Sequence, residues 1–321
     1  MNSVERAPIT RGTRVLVRCD LDVPVENGKV LETFRLDKCL KTLKYIVEKG
    51  GMPVIIGHLG RPDGKKTPEL STKQLTPYFN ERLGKDKYEL LENLRFDPRE
   101  KTNSEEFAKE LSQKGEMYMN ESFANSHREH TSIVGIPKHL PSYAGFTLQK
   151  EIETLQKIRE NPQKPFVAII GGTKTEDKKP AIKIFLQKAN YVLAGSKIGL
   201  EWNEEKPQNL ILPLDYVEDK DIGPKTIEKF KQLIKPARTI LWAGPLGVYE
   251  NPPYDIGTKE VAQAITENKD AYTVVGGGDI TAALHKLELL EKIKFVSTGG
   301  GAMLKFLEKG TLPGVEALNQ S

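Results

Sequence analysis

The sequence predicts an α/β protein made of two doubly wound, Rossmann-like domains with parallel sheets, joined by a hinge helix. Short apolar runs alternate with longer stretches of helical periodicity along the chain, which is typical of strand–helix–strand units. Glycine-rich turns follow several of the apolar runs, as they do where a parallel strand ends at a ligand site. A length of 321 residues, 38% of them hydrophobic, suits two hydrophobic cores better than one.

Ten short segments are predicted to be strands. They are mostly β-branched or apolar and are bounded by Gly, Pro or charged residues, as buried parallel strands are. In chain order they are Val15–Val17, Pro53–Ile56, Tyr88–Leu91, Met117–Met119, Phe166–Ile170, Tyr191–Ala194, Leu210–Leu212, Thr239–Trp242, Tyr272–Val275 and Lys294–Val296.

Several longer segments between these strands show helical periodicity. The predicted helices include Asp37–Lys49, Ser104–Lys114, Asp177–Lys188, Pro224–Ile234, Thr258–Glu267 and Thr281–Leu289.

A boundary between two domains is predicted near residues 140–165. Pro137 and Pro141 precede a charged helical stretch, Gln149–Arg159, and Asn161–Pro165 interrupts the chain before the next strand. We therefore predict an N-terminal domain over residues 1–145 and a C-terminal domain over 146–311 that includes the interdomain helix. One large domain containing this helix is the alternative that chain length leaves open.

Charge and cysteine content disfavour several classes of protein. The formal net charge of +4 is small for a nucleic-acid binder, and the excess lies in residues 1–150, which suits a small anionic ligand there. Cys19 and Cys39 form neither a disulfide framework nor a metal-ligand spacing, and no apolar run reaches transmembrane length. We expect a cytoplasmic monomer that binds neither nucleic acid nor membrane.

Basic side chains follow three predicted strands of the first half. His58 and Arg61 come after the second strand, Arg95 after the third and Arg128 after the fourth. The carboxyl ends of parallel strands meet at one edge of a sheet, so these side chains are expected to converge. Guanidinium groups bind carboxylate and phosphate oxygens in bidentate fashion. The pattern predicts an anion-binding pocket.

Glycine clusters end four predicted strands of the second half. Neither a G-x-x-x-x-G-K-[ST] motif nor a G-x-G-x-x-G motif opening a helix is present, which disfavours P-loop kinases and Rossmann dehydrogenases. Glycines let a backbone approach a ligand closely, and amide groups at a helix start bind phosphate. A nucleotide phosphate with Mg²⁺ is predicted at these clusters, which are Gly171–Lys174, Gly244–Gly247, Gly276–Asp279 and Gly299–Ala302.

The motifs of the first half resemble, in order, those of the N-terminal domain of phosphoglycerate kinases. They are Val17–Pro24, Phe34-Arg35, His58–Pro62, Leu91–Phe96 and His127-Arg128. The resemblance implies that this domain binds 3-phosphoglycerate and that Arg35 also stabilises the phosphoryl group in transfer. The substrate-binding residues that it implies are Asp20, Asp22, Arg35, His58, Arg61, Arg95 and Arg128.

The glycine clusters of the second half resemble the nucleotide domain of the same family, which implies Mg²⁺ with ATP or ADP. By this resemblance Lys174 and Lys178 contact the phosphates, Gly223 borders the base and Glu250 binds the ribose. Gly276, Gly277 and Gly278 also line the nucleotide, Asp279 holds Mg²⁺, and Gly299–Gly301 presents a helix N-terminus to the phosphate in transfer. Lys174 and Gly300 join Arg35 as implied catalytic residues. The likeness runs from about residue 11 onward and implies that a tail, about 312–321, packs on the first domain.

The resemblance implies in-line phosphoryl transfer between the carboxylate of 3-phosphoglycerate and MgATP, in either direction, with small molecules as the only partners. No general base is needed because the attacking carboxylate is already ionised, so positioning and charge neutralisation carry the catalysis. Since each domain is expected to hold one reactant, a closing movement is expected to bring them together.

Some positions depart from the family pattern. The departures are Asp22 where Asn is usual, Glu121–Ala124 in place of Asp-Ala-Phe-Gly, Ala243 for Asn, Ile280 for Ser or Thr, and a shortened segment near 197–209 beside the base site. They leave open a second hypothesis, a catalytically weakened relative that binds phosphoglycerate or a partner protein. The charged residues needed for the chemistry are all present, which weighs against it. A nucleic-acid binder has no aromatic-interleaved basic stretch in its favour.

Overall fold

The structure is a computed structural model that describes residues 1–319. Gln320 and Ser321, the end of the predicted tail, lie outside the described residues. The chain divides into two compact units, one formed by Met1–Thr154 with the segment from Thr311 onward, the other by Leu155–Gly310. Each unit contains a parallel sheet whose strands are connected by helices, so the predicted fold class is confirmed.

The first unit contains a five-stranded parallel sheet in the order β5-β4-β1-β6-β7. The chain starts at the central strand, extends the sheet to one side and then returns to extend the other, which is doubly wound topology. The remaining two strands, β2 and β3, pair as a small antiparallel hairpin. The strands are β1 (Arg14–Arg18), β2 (Val25–Glu26), β3 (Lys29–Val30), β4 (Met52–Ile56), β5 (Glu89–Leu90), β6 (Met117–Asn120) and β7 (Ser142–Ala144).

Three helices before the division between the units lie in the first unit, and a fourth contains that division, which falls between Thr154 and Leu155. They are α1 (Phe34–Glu48), α2 (Thr76–Leu83), α3 (Glu105–Ser112) and α4 (Phe146–Glu160).

The second unit contains a six-stranded parallel sheet in the order β10-β9-β8-β13-β14-β15. The strand order reverses between β8 and β13, where doubly wound sheets bind ligands. The strands are β8 (Phe166–Ile170), β9 (Tyr191–Ala194), β10 (Leu210–Ile211), the hairpin strands β11 (Tyr216–Val217) and β12 (Asp221–Ile222), β13 (Thr239–Ala243), β14 (Tyr272–Gly276) and β15 (Phe295–Ser297).

Six helices lie wholly within the second unit: α5 (Thr175–Lys188), α6 (Ser196–Glu201), α7 (Pro224–Ile234), α8 (Ile256–Glu267), α9 (Gly278–Lys286) and α10 (Gly300–Lys309). The chain then re-enters the first unit with α11 (Pro313–Ala317). There the amide of Gly314 donates to the carbonyl oxygen of Ser126 at 2.8 Å, and the glycine packs against Ile133.

The central strands are buried along their length because helices cover both faces of a parallel sheet. Every residue of β8 and of β13 is buried, including Trp242, whose indole NH donates to the carbonyl oxygen of Gly244 at 2.8 Å. Continuous apolar runs are what such strands require, which is why these strands were predicted within one residue of their observed ends.

The structure corrects several predicted element bounds. Helices α1, α5 and α9 begin two or three residues earlier than predicted, so Arg35 lies in the first turn of α1 and not in a loop. Helices α2 and α6 were missed because they are only eight and six residues long and give little periodicity. Propensity alone does not place a helix start at Gly278, where packing overrides it.

No helix among residues 1–319 is both long enough and apolar enough to span a lipid bilayer.

Glu121 is a buried carboxylate at the N-terminus of α4. Its Oε2 accepts hydrogen bonds from the amides of Thr147 and Leu148 at 2.9 and 3.2 Å, and Thr42 donates its hydroxyl to Oε1. Gly145 leaves room for the group, since a β-carbon there would lie 2.4 Å from the Glu121 carboxyl carbon. Burial raises the pKa of Glu121 to about 7, although these donors act in the opposite direction.

We expect the stability of the first unit to fall as the pH rises from about 5 to 8. The folded protein keeps the Glu121 proton up to a pKa of about 7, whereas the unfolded chain releases it near 4.5. Relative to Glu121→Gln, the wild-type chain should therefore lose up to about 3 kcal/mol of unfolding free energy across this range. Urea unfolding followed by circular dichroism at pH 5 and pH 8 measures the difference.

The exposed Glu153, on the same helix, provides the control. Glu153→Gln should follow the wild-type pH profile. If Glu121→Gln also runs parallel to the wild type between pH 5 and 8, the carboxyl group does not titrate in this window.

Candidate active site

Seven predicted site residues lie together at the carboxyl edge of the first sheet, and we call this group the basic pocket. Arg35 lies with its guanidinium 3.6 Å from Asp20 Oδ2 and 3.9 Å from Asp22 Oδ2, and it donates to the Asp22 carbonyl oxygen at 3.1 Å. The members are Asp20, Asp22, Arg35, His58, Arg61, Arg95 and Arg128.

Asp22 is paired with hydrogen-bond donors and cations, so its carboxylate adds little net negative charge to the pocket. Its Oδ1 accepts the amide of Gly60 at 2.8 Å, and its Oδ2 lies 3.7 Å from Nε2 of His58. With Arg35 also beside it, the negative charge of Asp22 is paired inside the pocket. Asp22 thereby ties α1 and the loop after β4 to the loop after β1.

Arg18, which the sequence prediction left out of the site, holds His58 in place. Its side chain is fully buried and its guanidinium contacts Nδ1 of His58 at 3.0 Å. Arginine only donates hydrogen bonds, so Nδ1 must accept and the proton of neutral His58 must sit on Nε2, which faces Asp22. The only sequence signal for this role was the position of Arg18 at the end of a strand.

A buried carboxylate balances Arg18 behind the pocket. Arg18 Nε donates to the hydroxyl of Ser132 at 2.8 Å, and that hydroxyl donates to Glu100 at 2.6 Å. Glu100 also accepts the Ser132 amide at 3.0 Å. The chain Arg18–Ser132–Glu100 lets a cation stay buried beneath the basic pocket.

Positive charge in the pocket exceeds negative charge. Burial lowers the pKa of Arg95 to about 10, and the neighbouring Arg128 and Arg18 push it in the same direction. Burial lowers the pKa of Arg128 too, with Arg61 and Arg18 adding repulsion. The pKa of His58 lies well below its usual range, first because of burial and then because of the arginines.

Burial is the first cause of these shifts, and the crowding of the arginines is the second. An anion bound among the arginines relieves the repulsion between them. Arg95 meanwhile donates to the Gly60 carbonyl oxygen at 2.8 Å, which orients it while leaving other guanidinium NH groups free to bind.

The predicted glycine clusters lie at the carboxyl edge of the second sheet, in the loops after β8, β13, β14 and β15, and we call this the glycine edge. The loops after β8 and β13 are in backbone contact, since the Gly172 amide donates to the Pro245 carbonyl oxygen at 2.8 Å. A β-carbon on Gly171 would lie 2.0 Å from that oxygen. Only glycine fits here, at the point where the strand order reverses.

The other two glycine loops also touch. A β-carbon on Gly300 would lie 2.6 Å from the Cα of Gly277, which itself has a φ of +128°. Helices α9 and α10 start at these glycines, so two helix N-termini lie side by side at the glycine edge. Unpaired amides and the positive end of each helix dipole favour phosphate at such a place.

Charged side chains flank the glycine edge. Lys174 immediately precedes α5, and Lys178 lies in its first turn. Burial lowers the pKa of Lys178, Asp177 and Asp279 oppose this shift, and Lys174 reinforces it. The two lysines and the Asp279 carboxylate are therefore close enough to influence one another.

Glu250 and Asp279 both lie near the side chain of Tyr249. Burial raises the pKa of Tyr249, and the negative charges of Glu250 and Asp279 raise it further. The loop after β13 that carries Glu250 therefore lies near the start of α9, which carries Asp279.

Gly223 directly precedes α7 and faces the carboxylate of Asp215, which caps that helix. Asp215 accepts the amides of Lys225 and Thr226 at 3.0 and 2.8 Å, and a β-carbon on Gly223 would lie 2.4 Å from its carboxyl carbon. This packing by itself requires glycine at 223.

Among residues 1–319, no group of three or more His, Cys, Asp or Glu side chains is arranged to hold a metal ion.

A family model described as phosphoglycerate kinase matches residues 6–89, 82–204 and 203–310 of the chain. A curated phosphoglycerate kinase from Thermosipho africanus is 36% identical over 383 aligned positions, which cover 96% of this chain and 95% of the relative. One from Leptospira biflexa is 37% identical over 380 positions, with 96% of each chain covered.

Two solved structures are also similar to the chain. Phosphoglycerate kinase from Coxiella burnetii matches with a TM-score of 0.84 and 30% identity, covering 99% of this chain and 98% of that one. Phosphoglycerate kinase from Pyrococcus horikoshii matches with a TM-score of 0.85 and 27% identity over the same shares.

The alignment with the Thermosipho africanus relative runs over more positions than this chain has residues, so that relative carries segments that the chain lacks. The family match breaks at 82–89 and at 203–204. The second break lies in the segment near 197–209 that the sequence indicates to be shortened. The first falls where α2 passes into β5, and sequence reasoning did not single it out.

Adjacent glycines at the start of α10 provide a matched pair of variants. Gly300→Ala should lower the unfolding free energy by about 1–3 kcal/mol, because the new methyl group overlaps Gly277. Gly301→Ala meets no atom within 4 Å, and it should be neutral or stabilising by up to about 1 kcal/mol. Thermal unfolding of both variants measures the contrast, and equal losses of stability would contradict the close packing of the two loops.

Proposed function

The chain belongs to the phosphoglycerate kinase family, and we propose the roles by which its residues transfer a phosphoryl group between ATP and 3-phosphoglycerate. It is a phosphotransferase that acts reversibly on a carboxyl group and uses ATP and ADP. The family match extends over nearly the whole chain, and it supports this function and not the alternative of a silent binding protein.

The basic pocket carries the proposal. Its arginines hold excess positive charge at one sheet edge, beside the neutral His58, which suits a small molecule bearing both a phosphate and a carboxylate. We assign 3-phosphoglycerate to this pocket and to an N-terminal domain of residues 1–145. Arg61, Arg95 and Arg128 bind its anionic groups. Arg35, positioned by Asp20 and Asp22, stabilises the phosphoryl group in transfer.

The nucleotide is assigned to the glycine edge and to a C-terminal domain of residues 146–311. Lys174 and Lys178 contact its phosphates, and the helix terminus at Gly300 faces the phosphoryl group in transfer. Glu250 binds the ribose hydroxyls and Gly223 borders the base. Gly276, Gly277 and Gly278 let the backbone approach the nucleotide closely. The close approach of Gly171 to Pro245 and of Gly300 to Gly277 supports the assignment of the nucleotide to this edge.

Asp279 is the residue that we assign to Mg²⁺. Mg²⁺ in kinases is commonly held by one or two carboxylates together with substrate phosphates, so a cluster of protein ligands is not required. The position of Asp279 near Lys178 and Glu250 fits this arrangement. When bound, the ion neutralises phosphate charge.

The chemistry needs no general base. The carboxylate of 3-phosphoglycerate is ionised at neutral pH, so its oxygen can attack the γ-phosphate in line without losing a proton. The chain contributes alignment of the two reactants and neutralisation of the charge that develops on the transferred group. Arg35 and Lys174 carry out most of the neutralisation. A cytoplasmic location and a monomeric state stay predictions from the sequence.

Arg35→Ala should lower kcat for MgATP and 3-phosphoglycerate at least about 100-fold, the usual effect of losing one transition-state donor. The dissociation constant for ADP should change less than about twofold, because Arg35 belongs to the basic pocket and not to the glycine edge. A coupled assay measures turnover, and calorimetry measures ADP binding.

Arg82, an exposed arginine on α2 that pairs with Glu81, serves as the matched control. Arg82→Ala should retain the wild-type kcat. Near-normal turnover of Arg35→Ala would remove Arg35 from its assigned role. An inactive wild-type chain that still folds would overturn the proposed function.

The shortened segment near 197–209 should weaken recognition of the base. We expect ATP and ADP to bind about tenfold more weakly than to the Thermosipho africanus relative, which corresponds to about 1.4 kcal/mol of lost contacts. The ratio of GTP to ATP affinity should also lie closer to one. Calorimetric titrations of both proteins with ATP, ADP and GTP test this, and identical affinities and ratios would refute it.

A further inference from the structure

Asp221 is a fully buried carboxylate in the second unit that the roles above leave unused. It opens strand β12, two residues before Gly223. Its Oδ2 accepts the amide of Gly257 at 2.7 Å and its Oδ1 accepts the amide of Ile222 at 2.8 Å. Removing a carboxylate from water is costly, and these two amides offset part of that cost.

Two glycines pack directly against this carboxylate. A β-carbon on Gly247 would lie 2.2 Å from Asp221 Oδ1, and one on Gly257 would lie 2.4 Å from the same atom. Neither position accepts a side chain unless the carboxylate moves. Asp221 therefore fixes how the loop after β13, which contains Gly247, lies against the first turn of α8, which contains Gly257.

The loop that Asp221 holds is the one that carries Glu250. The amide of Val248 donates to the carbonyl oxygen of Lys220 at 2.9 Å, which fastens the loop beside Asp221. The amide of Leu246 donates to the hydroxyl of Thr258 at 3.0 Å, which fastens it to α8. Glu250 itself is exposed, so its position depends on these anchors.

We propose that Asp221 is a positioning residue for the nucleoside half of the nucleotide. Its carboxylate sets the distance between the loop carrying Glu250 and the base-side Gly223, so that ribose and base are recognised together. The phosphate half, bound at the two lysines and at the glycine loops after β8, β14 and β15, does not depend on it. This inference rests on the proposed function, in which Glu250 and Gly223 contact the nucleoside.

Asp221→Asn keeps the shape of the side chain and replaces one acceptor oxygen with an NH₂ group that faces a backbone NH. The dissociation constant and KM for ATP should rise about five- to twentyfold. The KM for 3-phosphoglycerate and the kcat at saturating ATP should stay within about twofold. Binding of inorganic tripolyphosphate, which has no nucleoside, should also stay within about twofold.

Asn268→Ala is the control for a general loss of stability in the same unit. Asn268 precedes β14 at the opposite edge of the sheet, and its amide donates to the carbonyl oxygens of Ile234 and Ala237, each at 2.9 Å. This variant should be destabilised yet bind ATP and tripolyphosphate as the wild type does. Asp221→Asn should differ from it in ATP binding alone.

Gly247→Ala is the second variant, because its new methyl group would displace the Asp221 carboxylate without changing Asp221 itself. It tests the inference if Asp221→Asn does not fold. A folded variant of either kind that binds ATP within twofold of the wild type overturns the inference. Equal weakening of ATP and tripolyphosphate also overturns it, because the effect then is not confined to the nucleoside. If the wild-type chain itself binds no ATP, the proposed function fails before Asp221 is tested.

Discussion

Like charges crowded at the end of a parallel sheet are the constraint on which the first unit depends. Burial and the neighbouring cations lower the pKa of Arg95 and of Arg128, and the fully buried Arg18 lies among the same group of arginines. Several acceptors offset this crowding: Arg95 donates to the Gly60 carbonyl oxygen, and Arg18 donates to Ser132, whose hydroxyl in turn donates to Glu100. Asp20 and Asp22 pair with the neighbouring Arg35. A ligand with two anionic groups completes the balance, so the same repulsion that costs stability supplies binding free energy.

The glycine edge of the second unit depends on close approach of the main chain and not on a cluster of charged side chains. Gly171, Gly277 and Gly300 bring main chains into van der Waals contact and leave helix amides facing outward. Side chains at these positions would overlap the facing backbone and push the loops apart. The half-buried Asp215 and the buried Asp221 then hold the flanking segments through their carboxylates, a role that resembles that of Glu121 at the start of α4.

The sequence was most informative where one physical requirement dominates. Buried strands such as β8 need continuous apolar runs, and glycine loops follow them, so the sheets and both site edges could be placed from the pattern alone. Short helices such as α2 gave too little periodicity. The role of Arg18 and the pairing of Asp22 depend on contacts between residues distant in the chain, which no local pattern reports.

The segment from Thr311 onward belongs to the first unit, so that unit is built from two stretches of chain separated by the whole of the second. During synthesis, the second unit is continuous and can fold as soon as its last helix leaves the ribosome. All five strands of the first sheet precede the second unit, but the bond from Gly314 to Ser126 can form only after the second unit has been synthesised. The first unit therefore receives its final helix last, although its sheet is made first.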